Sequence, residues 1–271
     1  WMGSVQEDAF YAPHDLCVEI QDFLADHEFL FSTQSLSDIA ILYSVESDFY
    51  GGTRPEEIAN NPENIRQGSR LPFWDVCDVL ATARQPFDVR FLPDGTLRSD
   101  DPNRLDFNQY RTVILPACHF LTELQSNALT KFCGNGGQIV SLGTPGKNLP
   151  SEIQRSLTDH SHMTIVDSFS IADVPEQLQL CWSDNLDLAI NIVSVERGSA
   201  IHIIRYDYND ENDAVLVLPS LELAVRLHAT ISRASFFSPG DVLIGTMRRD
   251  GDWYRIRLEH VPLYSIVLLE E

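Results

Sequence analysis

Between residues 39 and 168 short apolar runs alternate with stretches of helical period, and that alternation admits few folds. The apolar runs are "IAILYS" (39–44), "FDVRFLP" (87–93), "RTVILPA" (111–117), "QIVSLG" (138–143) and "HMTIVDSF" (162–169). Between them lie "LPFWDVCDVLATARQ" (71–85), "LTELQSNALTKFCGNGG" (121–137) and "PSEIQRSLTDH" (150–160), with apolar residues recurring at helical spacing. Wholly apolar short strands suit a sheet buried on both faces. The pattern predicts five parallel strands in a doubly wound α/β sheet, in the flavodoxin-like order 2-1-3-4-5, with helices on both faces. The polar stretch 45–70 reads as a long loop leaving the first strand.

Residues 14–31, "HDLCVEIQDFLADHEFLF", predict one more amphipathic helix upstream of the sheet. After Ile171 the pattern turns β-rich. Apolar and polar residues alternate in "LELAV" (221–225) and "YRIRL" (254–258), and "RRDGDW" predicts a hairpin with Asp250-Gly251 at its tip. Three regions follow: residues 1–35 as a linker or helix, 36–174 as the α/β domain, and 175–271 as a small antiparallel β domain.

Charge narrows the partners. The 271 residues carry a formal net charge of −21, which repels the phosphates of nucleic acid and anionic membrane surfaces alike. Of 19 basic residues only Lys131 and Lys147 are lysine, a balance that suits solubility in high salt. No apolar run approaches the roughly 18–20 residues of a membrane span. Five scattered cysteines (Cys17, Cys77, Cys118, Cys133, Cys181) form no CxxC pair and are odd in number, which favours reduced, mostly buried thiols and, with no signal peptide in view, a cytoplasmic setting. The opening "WMGSVQEDAFYAP" reads as the tail of something longer.

"FLADHEFLF", "SLSDIAILYS", the Rossmann-like sheet, and then "IHIIRYDYNDE" and "VPLYSIVLLE" together resemble the C-terminal half of family 42 β-galactosidases and their relatives. There a catalytic barrel is followed by a glutamine-amidotransferase-like trimerisation domain and a small β domain. The resemblance spans residues 14–271. It implies a non-catalytic accessory or oligomerisation region, an upstream barrel as partner, and no cofactor. It leaves open an active amidotransferase-like hydrolase and a carbohydrate-binding module.

The candidate residues are judged against that pattern. Amidotransferases and related proteases carry a nucleophilic cysteine at a sharp strand-to-helix elbow. Cys118-His119 has the right residue types, but it follows the third strand, whereas the elbow of those families follows the next one. Here that position holds "GTPG" (143–146), with Thr144 as the nearest hydroxyl. Cys118 and His119 therefore remain weak catalytic candidates beside a structural reading. His14 with Cys17, and His160 with His162, lack the second pair a metal site needs. Glu46, Asp48, Asp94, Asp207, Asp210, Glu211 and Asp213 supply carboxylates without a glycosidase or EF-hand pattern. Phe49 and Tyr50, beside Gly51-Gly52, and Phe73 with Trp74 are the candidate ligand or interface residues. Trp182, Trp253 and Tyr254 are the candidate sugar-stacking residues of the β domain.

Overall fold

The computed structural model describes residues 14–50, 72–175, 180–182, 188–207, 209, 211, 217–227, 229–240 and 242–271. The chain divides into two compact units, Ser37–Gln177 and the pair of segments Trp1–Leu36 and Leu178–Glu271.

The first unit is the doubly wound sheet. Its strands are β1 (Ile39–Ser44), β2 (Asp88–Leu92), β3 (Thr112–Pro116), β4 (Gln138–Leu142) and β5 (Met163–Val166), all parallel, in the order β2-β1-β3-β4-β5. Successive side chains point to opposite faces, so each central strand feeds two cores. One core joins Ala40, Leu42, Val113 and Leu115 to Leu129 and Phe132 of one helix (Glu123–Gly134) and Leu157 of another (Ser151–Thr158). The other joins Ile39, Ile41 and Ile114 to Phe73, Val76 and Leu80 of the helix Phe73–Thr82. This double burial is why "IAILYS" and "TVILP" read as unbroken apolar runs.

The reading of the stretch after β1 changes. Val45–Tyr50, expected at the start of a loop, forms a short helix directly after β1. The structure does not describe 51–71, nor the side chains of Phe49 and Tyr50. The helices are numbered in chain order: α1 (His14–Asp26), α2 (Val45–Tyr50), α3 (Phe73–Thr82), α4 (Glu123–Gly134) and α5 (Ser151–Thr158). α4 starts with a capping box, in which Thr122 Oγ1 accepts from Gln125 N (3.1 Å) and Gln125 Oε1 accepts from Thr122 N (3.1 Å).

In the second unit two four-stranded antiparallel sheets enclose a shared core. One has β7 (Leu188–Val195), β8 (Gly198–Arg205), β13 (Tyr264–Glu270) and β10 (Arg233–Phe237) as neighbours in that order. The other has β6 (Leu180–Trp182), β9 (Leu218–Val225), β12 (Trp253–Val261) and β11 (Ile244–Asp250). Ile201, Ile203, Val267 and Leu269 of the first face Leu221, Leu223, Ile256 and Leu258 of the second. The predicted 14–31 helix ends at Asp26; Glu28–Leu30 is a 3-10 turn, and Leu30 is fully buried with Val193, Ala200, Ile266 and Leu268. Residues 34–36 then pair with the edge of β7, through Leu36 N to Ile192 O (2.9 Å) and Ser194 N to Gln34 O (2.8 Å). The N-terminal segment thus covers part of the outer face of the first sheet. That cover explains why "IVLL" (266–269) in β13 is apolar throughout, whereas "YRIRL" in β12 alternates.

Asp250 pairs with Trp253, so the β11–β12 loop is Gly251-Asp252, one residue beyond the predicted tip. Gly251 has φ +62° with open space where a Cβ would lie, whereas a Cβ on Gly198 (φ +142°) would sit 2.1 Å from the Leu269 carbonyl oxygen. Gly251→Ala carries only the left-handed backbone cost of about 1–2 kcal/mol. Gly198→Ala adds a backbone clash and is expected to cost about 3 kcal/mol or more. Thermal unfolding of the two variants checks the order: equal shifts in Tm would contradict it.

Candidate functional site

A doubly wound sheet offers its ligand crevice at the carboxyl ends of the strands, where the strand order reverses. In this sheet that point lies between β1 and β3. The elements meeting there are the β1–α2 junction (Ser44, Ser47) and the loop Ala117–Thr122 between β3 and α4.

Among the described residues, the chain ties itself across the crevice. Ser44 Oγ and Ser47 Oγ both donate to Phe120 O (3.0 Å each), Phe120 N donates to Ser47 Oγ (2.9 Å), and Ser47 N donates to Ser44 Oγ (3.1 Å). Both serines are buried. Beneath them Cys118 is 1% exposed, and its Sγ lies 3.6 Å from Leu42 O. Burial pushes the Cys118 thiol up to about 12, so at neutral pH it is protonated and has no thiolate to attack with. The turn that carries it is tight: Ala117 has φ +52°, and His119 N donates to Ala117 O at 2.7 Å.

His119 turns toward the next loop. Its Nδ1 donates to Thr144 O (3.0 Å), and a Cβ on Gly143 (φ +70°) would lie 3.0 Å from its Cε1. Gly146 N donates to Cys118 O (3.1 Å), Lys147 N to His119 O (2.6 Å), and the Asn148 amide brackets Leu121 from both sides (3.0 and 2.9 Å). The loops after β3 and β4 are therefore zipped together. Cys118 and His119 are neighbours in sequence, yet their side chains go to different partners. The signals that would have marked this closure are Ser44 and Ser47, small hydroxyls at a strand end and a first helical turn, and they were overlooked in the sequence.

The carboxylates at this edge hold loops. Asp48 accepts from Tyr43 Oη, and Asp100 accepts from Thr122 Oγ1 (2.5 Å) and Gln125 Nε2 (2.8 Å). Three backbone N–H groups, that of Arg98 first, hold the Asp94 carboxyl below its ordinary value; the other two come from Thr96 and Leu97. Glu46 is raised, by burial first and then by the charges of Asp94 and Asp100.

The remaining candidates disperse. Phe73 is buried against Tyr43, with ring centroids 5.1 Å apart, whereas Trp74 is 58% exposed. Tyr254 is buried, its Oη accepting from Ile231 N (2.9 Å), which removes it from any sugar face. The Arg226 guanidinium lies 5.5 Å above the Trp253 ring, and the Trp182 side chain lies outside the described residues. His162 packs edge-on against His160, and its Nδ1 meets Gly137 O (3.3 Å). Asp207 forms a fork with the buried Arg205 guanidinium (3.0 and 2.6 Å). Asp210 and Asp213 lie outside the described residues. Among the described residues no three His, Cys, Asp or Glu side chains gather as a metal site, and no helix is long and apolar enough to cross a membrane.

No family model matches the chain, and no curated protein does. Solved structures do. Alpha-L-fucosidase isoenzyme 2 from Paenibacillus thiaminolyticus matches 88% of this chain and 49% of its own, with TM-score 0.53 and 10% identity. The likeness is one of fold. A catalytic mutant of a GH42 beta-galactosidase from G. stearothermophilus matches over 98% of this chain and 47% of its own, with TM-score 0.47 and 10% identity. The apo exo-carrageenase GH42 from Bacteroides ovatus matches over 95% and 32%, with TM-score 0.43 and 10% identity. This chain spans about half the length of the fucosidase it matches.

Iodoacetamide is expected to spare Cys118 in the native protein at pH 8 while labelling the half-buried Cys17. Ser47→Ala strands the Phe120 N–H, at a cost of about 1–3 kcal/mol, and is expected to speed Cys118 labelling. Native Cys118 reacting as fast as Cys17 would contradict the closure. The thiol also sets an alkaline limit. The unfolded chain releases its proton near 9.0 and the native chain only near 12, so its stabilising contribution is complete below pH 9 and is lost as pH rises toward 12.

Proposed function

We propose that this chain is a non-catalytic accessory region of a glycoside-hydrolase-like protein, which supports an upstream catalytic barrel and builds subunit contacts. The observation that carries the reading is the closed switch-point crevice: the Ser44–Ser47–Phe120 bonds occupy the place where a doubly wound enzyme holds its ligand, and the Cys118 thiol is buried beneath them. The fold likeness to the fucosidase supports it, as does the share of that protein left over for other domains. An amidotransferase-like reaction at Cys118-His119 is the competing reading. It requires a thiolate where burial holds a thiol.

In this reading the subunit contact lies on β2 and α3. β2 is an edge strand of its sheet; Phe91 on it is 67% exposed, and Trp74 at the start of α3 is 58% exposed. Exposed aromatic rings supply most of the binding energy once they are desolvated at the centre of an interface. The net charge of −21 opposes self-association, so the contact tightens as salt screens it.

Two assays test this. The purified chain is expected to hydrolyse neither aryl β-galactosides, aryl α-fucosides nor glutamine; turnover that disappears in Cys118→Ala would overturn the accessory reading. Sedimentation at low and high salt is expected to show association that rises with salt and weakens in Trp74→Ala. A monomer at both salts would remove oligomerisation from the reading.

A further inference from the structure

Among the described residues, the N-terminal segment covers part of the outer face of the β7–β8–β13–β10 sheet. Beside that cover lies an open groove of about 440 Å³, lined by Phe31, Asn191, His202, Ile204, Leu263 and Tyr264, with Ser32 and Val193 at its edge. All of these residues belong to the second unit. The sheet register builds it: Asn191 stands opposite His202 on β7 and β8, and Ile204 opposite Tyr264 on β8 and β13. Phe31 forms one wall, its ring 5.1 Å from that of His202.

The groove has an apolar floor with uncommitted polar groups around it. Phe31 (38%), Ile204 (49%) and Leu263 (52%) present exposed apolar surface. His202 Nε2 donates to Leu30 O (3.0 Å), which makes Nδ1 the acceptor of the Tyr264 O–H (2.7 Å) and leaves the Tyr264 oxygen one further lone pair. Ser32 Oγ accepts from Gln34 N (3.0 Å), leaving its O–H to donate. The exposed Asn191 amide has no partner among the described residues.

Charge decides among ligands. No Asp, Glu, Lys or Arg is among these lining residues, in a chain of net charge −21. Burial lowers the His202 pKa, which keeps the ring neutral. An anion is repelled by the protein as a whole, and a cation finds no carboxylate here. A purely aliphatic ligand leaves the Asn191 amide, the Ser32 hydroxyl and the Tyr264 oxygen unused. A neutral pyranoside has both halves of the complement, a C–H face for the Phe31 ring and hydroxyls for the polar groups. We propose that this groove is a subsite for a neutral hexopyranoside. The proposal is independent of the accessory reading, since it concerns a different unit and needs no barrel.

Saturation-transfer NMR on the whole chain tests it, with methyl β-galactopyranoside, methyl α-fucopyranoside and methyl β-glucopyranoside as probes and glucuronate and 1-hexanol as controls. Transfer to the ring protons of at least one glycoside is expected, with affinity falling about tenfold in Phe31→Ala and in Asn191→Ala. Asn191 is exposed, so its variant keeps the fold and decides the matter if Phe31→Ala lowers Tm. Three results would each overturn the proposal: no transfer to any of the three glycosides, an affinity unchanged in Asn191→Ala, or 1-hexanol displacing the sugar at equal concentration, which would mark a groove for apolar chain.

Discussion

The Phe120 backbone, gripped by Ser44 and Ser47, is the constraint on which the chemistry of the α/β unit depends. One carbonyl accepts two buried hydroxyls and its own N–H returns to one of them, so the loop after β3 cannot open without stranding several polar groups at once. Everything around it follows. The thiol of Cys118 is pressed onto Leu42 O and stays protonated, and His119 is left to brace the Gly143–Thr144 turn. The proposed scaffold role of this sheet rests on that closure.

The second unit rests on a different dependence. Its outer sheet carries Val193, Ala200, Ile266 and Leu268 on a face that water would otherwise reach, and Leu30, brought from far away in sequence, completes that core. His202 fixes the same segment through Leu30 O. Segment 27–36 is therefore part of the β unit's own structure, and the groove beside it exists only because this cover stops short of Ile204 and Leu263.

Much of the fold was legible because periodicity reports burial. Runs such as "IAILYS" and "TVILP" are apolar along their centres, without alternation, because both faces of the parallel sheet are covered, and their bounds were read to within a residue. β10 (Arg233–Phe237) carries no such signal: all but its first residue are half-buried, so "RASFF" shows no clean alternation. The pairing of residues 34–36 with β7 rests on backbone bonds between distant segments, which no local pattern encodes. The site was legible only in part. Sequence order placed Cys118 on the wrong strand for a nucleophile. That Ser44 and Ser47 seal the crevice depends on two hydroxyls more than 70 positions away from Phe120.

The most direct measurement of that closure is native-state hydrogen exchange at the Phe120 amide. If the serine grip is the constraint described, this N–H exchanges only as slowly as the amides of β3 and β1, and in Ser47→Ala its protection falls while theirs persists. Exchange of the Phe120 amide at the rate of an exposed loop in the unaltered protein would contradict the account, because the crevice would then be open to a ligand.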